Sequence, residues 1–154
     1  MNAAERYFED FQVGDTIETS SFELSEKESV AFAHLYDPQP FHLDKNAAES
    51  SVFRKLTASG WQTAAITMRL MVENGALRAT GIIGTGIDDL RWLAPVYPGD
   101  TLRVRAEVVE KTLWPGKKDR GTLRVRMHTV NQNDVVVMSQ VANLMVPLRK
   151  QADE

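Results

Sequence analysis

Cysteine is absent from all 154 residues. Its absence excludes disulfides, thiolate nucleophiles, iron–sulfur clusters and cysteine-type zinc sites, and it suits a reducing compartment. No stretch approaches the roughly 20 consecutive apolar residues of a membrane helix. Residues 1–11 also lack the basic start and apolar run of a secretion signal, so the cytoplasm is the expected location. Neither sign of charge predominates: 18 Lys and Arg stand against 21 Asp and Glu, a net charge of −3. That balance gives no support to a nucleic-acid partner held through phosphates. Repeats, low-complexity tracts and linkers are lacking too. With 43% hydrophobic and 25% charged residues, the composition is that of an ordinary globular protein. The length suits one domain over residues 1–154, with a polar tail at 150–154 expected to fray.

Residues 16–24 have the β-branched, alternating character of a strand, after the turn signal Gly14-Asp15. Ser25 with Glu28 three positions later reads as a capping box opening a helix. Val30 and Ala33, with Ala31 and Leu35 beside them, are expected to face inward. That helix ends at Asp37, because Pro38 disfavours helical geometry in the residue before it. Asp44 is placed to cap a short turn through Ala47 and Ala48. From Gly60 to about Asn74, Trp61, Ala64, Ala65, Met68, Met71 and Val72 fall at helical spacing, with Ile66 and Leu70 on other faces. A helix apolar nearly all round needs something to wrap it; Gly75 supplies its stop.

After residue 80 the chain reads as strand. Thr101, Arg103, Arg105 and Glu107 alternate with Leu102, Val104, Ala106 and Val108, as in a sheet with one solvated face. Leu123, Val125 and Met127 repeat the pattern against Thr122, Arg124, Arg126 and His128. Residues 135–146 are the most apolar and are expected to be central. Turns are marked at Pro98-Gly99-Asp100, Pro115-Gly116 and 131–134, the last closing a hairpin. The order of strand, helix, long buried helix and then a run of antiparallel strands defines an α+β layout. A curved antiparallel sheet around the long helix would meet its demand for burial.

The segment Tyr36-Asp37-Pro38-Gln39-Pro40-Phe41-His42-Leu43-Asp44 is the most informative in the chain. With Thr57-Ala58-Ser59-Gly60-Trp61 and Trp92-Leu93-Ala94-Pro95-Val96-Tyr97-Pro98-Gly99-Asp100, it closely resembles the MaoC-like dehydratases and R-specific enoyl-CoA hydratases. In those proteins Asp-x-Asn-Pro-x-His follows the first helix. The resemblance implies the hotdog fold, a curved antiparallel β-sheet wrapped around a long central α-helix. It further implies reversible hydration of a trans-2-enoyl-CoA to an (R)-3-hydroxyacyl-CoA. No cofactor is implied beyond the CoA thioester that is the substrate. A homodimer is expected, with a higher assembly of dimers in some relatives. Asp37 and His42 match the family's catalytic pair at the same separation, and Gly60 matches its oxyanion donor. Gln39 stands where the family has Asn, with the same donors and acceptor on a side chain one methylene longer. Substrate range is where that difference is expected to act.

Hydration of a conjugated thioester needs a proton taken from water, a proton given to the α-carbon, and enolate charge stabilised on the thioester oxygen. An Asp and a His suit the first two tasks, each worth about 10²–10⁴-fold when well placed, with the order of roles left open. Two prolines stiffen the loop so that one water can be held between the pair. The Gly60 N–H, at a helix N-terminus, suits the third task. Gln39, Phe41, Ser59, Trp61 and Trp92 are candidate substrate contacts. Structural roles compete with all of these. Asp37 can end a helix or start an Asx-turn, His42 can satisfy backbone, and Gly60 can serve close packing. Trp61, Trp92 and Phe41 can be core, and Ser59 or Thr57 can cap a helix. No Gly-x-Ser-x-Gly elbow is present for a serine hydrolase. Asp44 near His42 lacks an evident third ligand, so no metal is expected. Arg91, Lys117, Lys118 and Arg120 are candidates for the CoA phosphates, against the commoner role of a solvated face. A thioesterase or a non-catalytic acyl-CoA-binding module remain the competing functions.

Overall fold

In a computed structural model of the chain, which describes residues 4–77 and 80–151, the alternating segments become one antiparallel sheet. Its strands are β1 (Thr16–Glu18), β2 (Phe22–Glu23), β3 (Ile83–Trp92), β4 (Thr101–Leu113), β5 (Arg120–Val130) and β6 (Val136–Pro147). They lie in the order β1-β4-β5-β6-β3, with β2 also pairing β4. The helices are α1 (Glu26–Tyr36), α2 (Pro40–Leu43), α3 (Lys45–Glu49) and α4 (Gly60–Asn74). This is the hotdog arrangement, with α4 laid across the sheet.

Alternation sorts the two sheet faces as expected. Leu102, Val104, Ala106 and Val108 on β4 and Leu123, Val125 and Met127 on β5 are buried in one core with Ile66, Leu70 and Met71 of α4. The opposite face carries paired charges, among them Arg124 with Asp88 at 2.7 Å and Arg103 with Glu18 at 3.2 Å. The β5 to β6 hairpin closes at 131–134, where the Asn131 side chain accepts from the Asn133 and Val135 N–H groups. β6 is interior, between β5 and β3, while β5 holds the middle of the sheet.

Three expectations need correction. Residues 16–24 form two short strands, because Thr19 interrupts the ladder: its hydroxyl accepts from Val104 N–H at 2.9 Å. Across that break the register on β4 slips by one residue, from Glu18↔Arg105 to Phe22↔Leu102. Leu35 and Ala31, both expected inward, are exposed, Leu35 by 73%. The buried face of α1 is set by Ser29 and Ala33, and a position two residues on lies about 200° round the helix. The third concerns α4. Its buried residues are Gln62, Thr63, Ile66, Thr67, Leu70 and Met71, whereas Trp61, Met68 and Val72 are 57%, 64% and 50% exposed. The sheet therefore wraps one side only. The open side adjoins β3, where Ile83 and Ile87 are also exposed.

The buried side of α4 includes a polar rung. Thr67 donates to the Thr63 carbonyl at 2.9 Å and so accepts from the Thr129 hydroxyl at 2.6 Å, fixing the helix against β5. No helix among the described residues is long and apolar enough to cross a membrane. The fraying expected at 150–154 falls, from 152 onward, outside the described residues.

The two leucines that sequence and structure rank differently provide a test. Leu70→Ala should destabilise by about 2–5 kcal/mol, as a buried truncation. Leu35→Ala should stay within about 0.5 kcal/mol. Urea unfolding of both variants measures this; equal losses would place the α1 face wrongly.

Candidate active site

Three chain segments converge at the N-terminus of α4. Asp37 is the C-cap of α1, with φ −152° and ψ 66° outside helical geometry ahead of Pro38. Pro40 then occupies the first turn of α2, so the expected stiff loop is in fact one helical turn that presents His42 inward. Gln39 ties the two residues together through its backbone: its N–H donates to the Asp37 carbonyl at 2.8 Å, and its own carbonyl accepts from His42 N–H at 2.9 Å. Residues 57–60 form the second segment, docked by Thr57 N–H to the Phe41 carbonyl at 3.2 Å. Ala58 N–H joins them to the third segment at the Val96 carbonyl, at 2.8 Å.

Within this frame His42 is 6% exposed. Its Nδ1 lies 2.6 Å from the Thr57 carbonyl oxygen. A carbonyl only accepts, so Nδ1 carries a proton and Nε2 is the nitrogen left to face the cleft. Nε2 meets Asp37 Oδ2 at 3.2 Å, a contact that is attractive when a proton lies between them. The Ser59 hydroxyl donates to the same Oδ2 at 2.7 Å, and the Gln39 amide donates to Oδ1 at 2.6 Å. Burial raises the Asp37 pKa, but the hydrogen bonds from Gln39 and Ser59, with the His42 charge, outweigh it and hold the carboxyl below its ordinary value. A water cannot sit on the line between the pair, as the sequence suggested; one touching both must lie beside it, toward the cleft.

That cleft has a volume of about 460 Å³ and is lined by Asp37, Gln39, Phe41, His42, Gly60, Trp61 and Trp92, with Phe53, Thr57, Ala58, Thr63 and 93–96 completing it. Seven of the eight candidate residues are thus brought together. The eighth, Ser59, is fully buried behind the cleft. There it accepts from Trp61 N–H as the cap of α4 while donating to Asp37, and it does not line the cleft. Gly60 N–H, the first of α4, has no acceptor among the described residues. A side chain at Gly60 would meet Trp92 Nε1 at 2.6 Å, and that indole donates to the Gly60 carbonyl at 2.8 Å. Glycine is therefore required both for this packing and for open access to the N–H.

A second cavity of about 220 Å³ lies on the other side of Trp61, among Ala64, Met68, Met71, Leu77 and Leu144. Sequence reasoning did not find it, nor the part played by the Thr57 carbonyl, since a backbone acceptor leaves no residue signature. The basic candidates do not converge. Lys117 and Lys118 are exposed in the β4 to β5 turn, Arg120 pairs with Asp119 at 2.9 Å, and Arg91 is exposed on β3; none lines the cleft. Asp44 caps α3 through the N–H groups of Asn46 and Ala47.

Fold and site together define a hotdog protein with an Asp and His pair at a helix N-terminus. The MaoC like domain family matches residues 10–137, and the chain belongs to that family. Among solved structures, a MaoC-like dehydratase from Rhodospirillum rubrum is 42% identical, with a TM-score of 0.90 over 95% of this chain and 99% of that one. R-hydratase PhaJ1 from Pseudomonas aeruginosa is 28% identical, with a TM-score of 0.76 over 97% of this chain and 94% of that one. Mesaconyl-CoA hydratase from Cereibacter sphaeroides is 27% identical over 97% of this chain, which spans 43% of that protein.

The lowered Asp37 pKa has a signed consequence for stability. A carboxyl depressed on folding contributes stability that is fully present above its unfolded value, about 3.9, and is lost as pH falls through the folded value. The stability difference between wild type and Asp37→Asn should therefore shift against wild type as pH falls from 5 toward 2.5. Chemical unfolding at several pH values reads it; a difference constant with pH would mean that the carboxyl is not held ionised.

Proposed function

We propose that the protein is a lyase that hydrates trans-2-enoyl-CoA thioesters to (R)-3-hydroxyacyl-CoA and catalyses the reverse dehydration, without a cofactor. The observation that carries this reading is the His42 imidazole, fixed by the Thr57 carbonyl so that Nε2 faces an ionised Asp37 beside the free Gly60 N–H. The thioester oxygen would accept from Gly60 N–H, at the positive end of α4. Asp37 takes a proton from the attacking water as its oxygen bonds to the β-carbon. The pair of electrons from the double bond moves toward the thioester, and His42 Nε2–H gives its proton to the α-carbon. Asp37 then holds one proton too many and His42 one too few. Their direct contact lets that proton return, which resets the site. Gln39, Phe41, Trp61 and Trp92 would form the walls against the acyl group, and the apolar cavity beyond Trp61 suits its tail. Similarity to an R-hydratase and to a mesaconyl-CoA hydratase supports the reaction class. Hydrolysis of the thioester would leave no task for a proton donor aimed at the α-carbon.

Crotonyl-CoA should lose its conjugated thioester absorbance without release of free thiol. Asp37→Asn and His42→Ala should each lose at least about 10²-fold in kcat while remaining folded. Release of thiol would make the protein a thioesterase, and wild-type rates in both variants would remove the pair from the mechanism.

The partner reading is a homodimer through β3 and the open side of α4. β3 is a ten-residue edge strand, and long uncovered edges beside apolar surface are pairing sites. A second copy presents the same surface, as a two-fold interface requires. Light scattering should give twice the 17.3 kDa chain mass, and Ile83→Lys should shift it toward monomer. A monomeric wild type would end this reading and leave the chemistry standing.

A further inference from the structure

The catalytic cleft and the smaller apolar cavity share one wall, the indole of Trp61. Helix geometry explains why. Residues of α4 advance about 1.5 Å and turn about 100° per position. Ala64 and Met71 therefore follow Gly60 down nearly one line, with Met68 close beside it. Trp61 stands at the head of that track. A chain beginning at the Gly60 N–H and continuing past Ala64 would reach the space between Met68, Met71 and the sheet residues Met127, Ala142 and Leu144. Gln140 is the one polar side chain in that lining, and its amide already donates to the Met127 sulfur at 3.3 Å.

The two indoles at the head of the track are held very differently. Trp92 is anchored by its hydrogen bond to the Gly60 carbonyl and lies against the glycine. Trp61 is 57% exposed, and its ring rests edge-to-face on Trp92 with centroids 4.9 Å apart. Among the described residues its indole nitrogen has no hydrogen-bond acceptor. Within a single chain, Trp61 can therefore leave its place chiefly at the loss of this aromatic contact, a factor of about two to ten in an equilibrium.

The geometry points to Trp61 as a gate that sets acyl-chain length, closed in this structure so that short acyl groups occupy the cleft and longer ones must turn the indole aside to reach the apolar cavity. The inference rests on the acyl-CoA reading of the cleft. An apolar cavity of about 150 Å³ takes up benzene, so one of about 220 Å³ has room for about six to eight carbons beyond those at the reacting centre. Each methylene buried there is worth about fourfold in affinity. A ten-carbon tail gains enough to displace the indole. A four-carbon group is held within the cleft and has no need to displace it.

The test uses butanoyl-CoA and decanoyl-CoA, saturated thioesters that bind without reacting, measured by calorimetry on the intact protein. Trp61→Ala should raise the ratio of decanoyl to butanoyl affinity at least about fivefold, and Trp61→Phe should fall between it and wild type. Ala64→Leu, added to Trp61→Ala, should return the ratio toward the wild-type value by filling the track. Parallel changes for both thioesters, an unchanged ratio, or no binding of either would overturn the gate. Near-ultraviolet circular dichroism confirms folding, and if Trp61→Ala fails to fold, Trp61→Phe decides by the same ratio. Should the ratio move as expected while crotonyl-CoA is not hydrated, the gate stands and the lyase reading falls.

Discussion

The hydrogen bond from His42 Nδ1 to the Thr57 carbonyl determines which nitrogen of the ring meets Asp37, and the rest of the site is arranged around that choice. Reversing the ring would set its Cδ2–H edge against the Thr57 carbonyl, lose that hydrogen bond, and turn Nε2 away from the carboxylate. The same short stretch of backbone does two further things. Ser59 holds the oxygen of Asp37 that faces His42, and Gly60 presents an open N–H. One loop of four residues thus sets the tautomer, the carboxylate orientation and the anion donor. Its position is secured on both flanks by backbone hydrogen bonds, to Phe41 and to Val96.

That loop is only as fixed as the helix it leads into. α4 is pinned to the sheet by Ile66, Leu70 and Met71 and by the Thr63, Thr67 and Thr129 rung. Buried hydroxyls in such a place add specificity of register because each must find its partner. On the other flank, the turn of α2 is entered through Pro40 at a position where a missing N–H is harmless. The Phe41 and His42 rings pack edge to face, with centroids 4.6 Å apart. Rigidity in this site comes from several weak constraints that agree, on elements that are themselves packed.

Much of this was legible in the sequence because it depends on local chemistry. The strand alternation of 101–108 and 122–128, the capping by Ser25 and Asp44, and the stop at Gly75 follow from backbone preferences that a few residues express. The grouping of Asp37, His42 and Gly60 was legible through motif resemblance alone. Periodicity could not show that Leu35 faces outward, since Ala33 and Leu35 are both apolar and only packing decides between them. The capping role of Ser59 was open to sequence reading, but not the second hydrogen bond by which its hydroxyl reaches Asp37. Contacts made to backbone, such as the Thr57 carbonyl, and cavities shared by residues far apart in the chain, have no signature in a linear pattern.

The reading of α4 as apolar all round failed for a reason that bears on function. The pattern itself is real: Trp61, Met68 and Val72 are large apolar side chains, yet they stand in the open beside an uncovered strand edge. Selection for burial acts on whatever state the protein occupies, and large apolar side chains cluster on a surface when something covers it. On the proposed dimer, the sheet would cover one side of α4 and a second copy the other, and the sequence would then record the environment of the assembly. The apolar cavity opens on that same side, so its floor belongs to one chain while its roof would be supplied by pairing. A tail lodged there would be shielded from water only when both are present, which couples the length of acyl group the site can hold to the association of the chains.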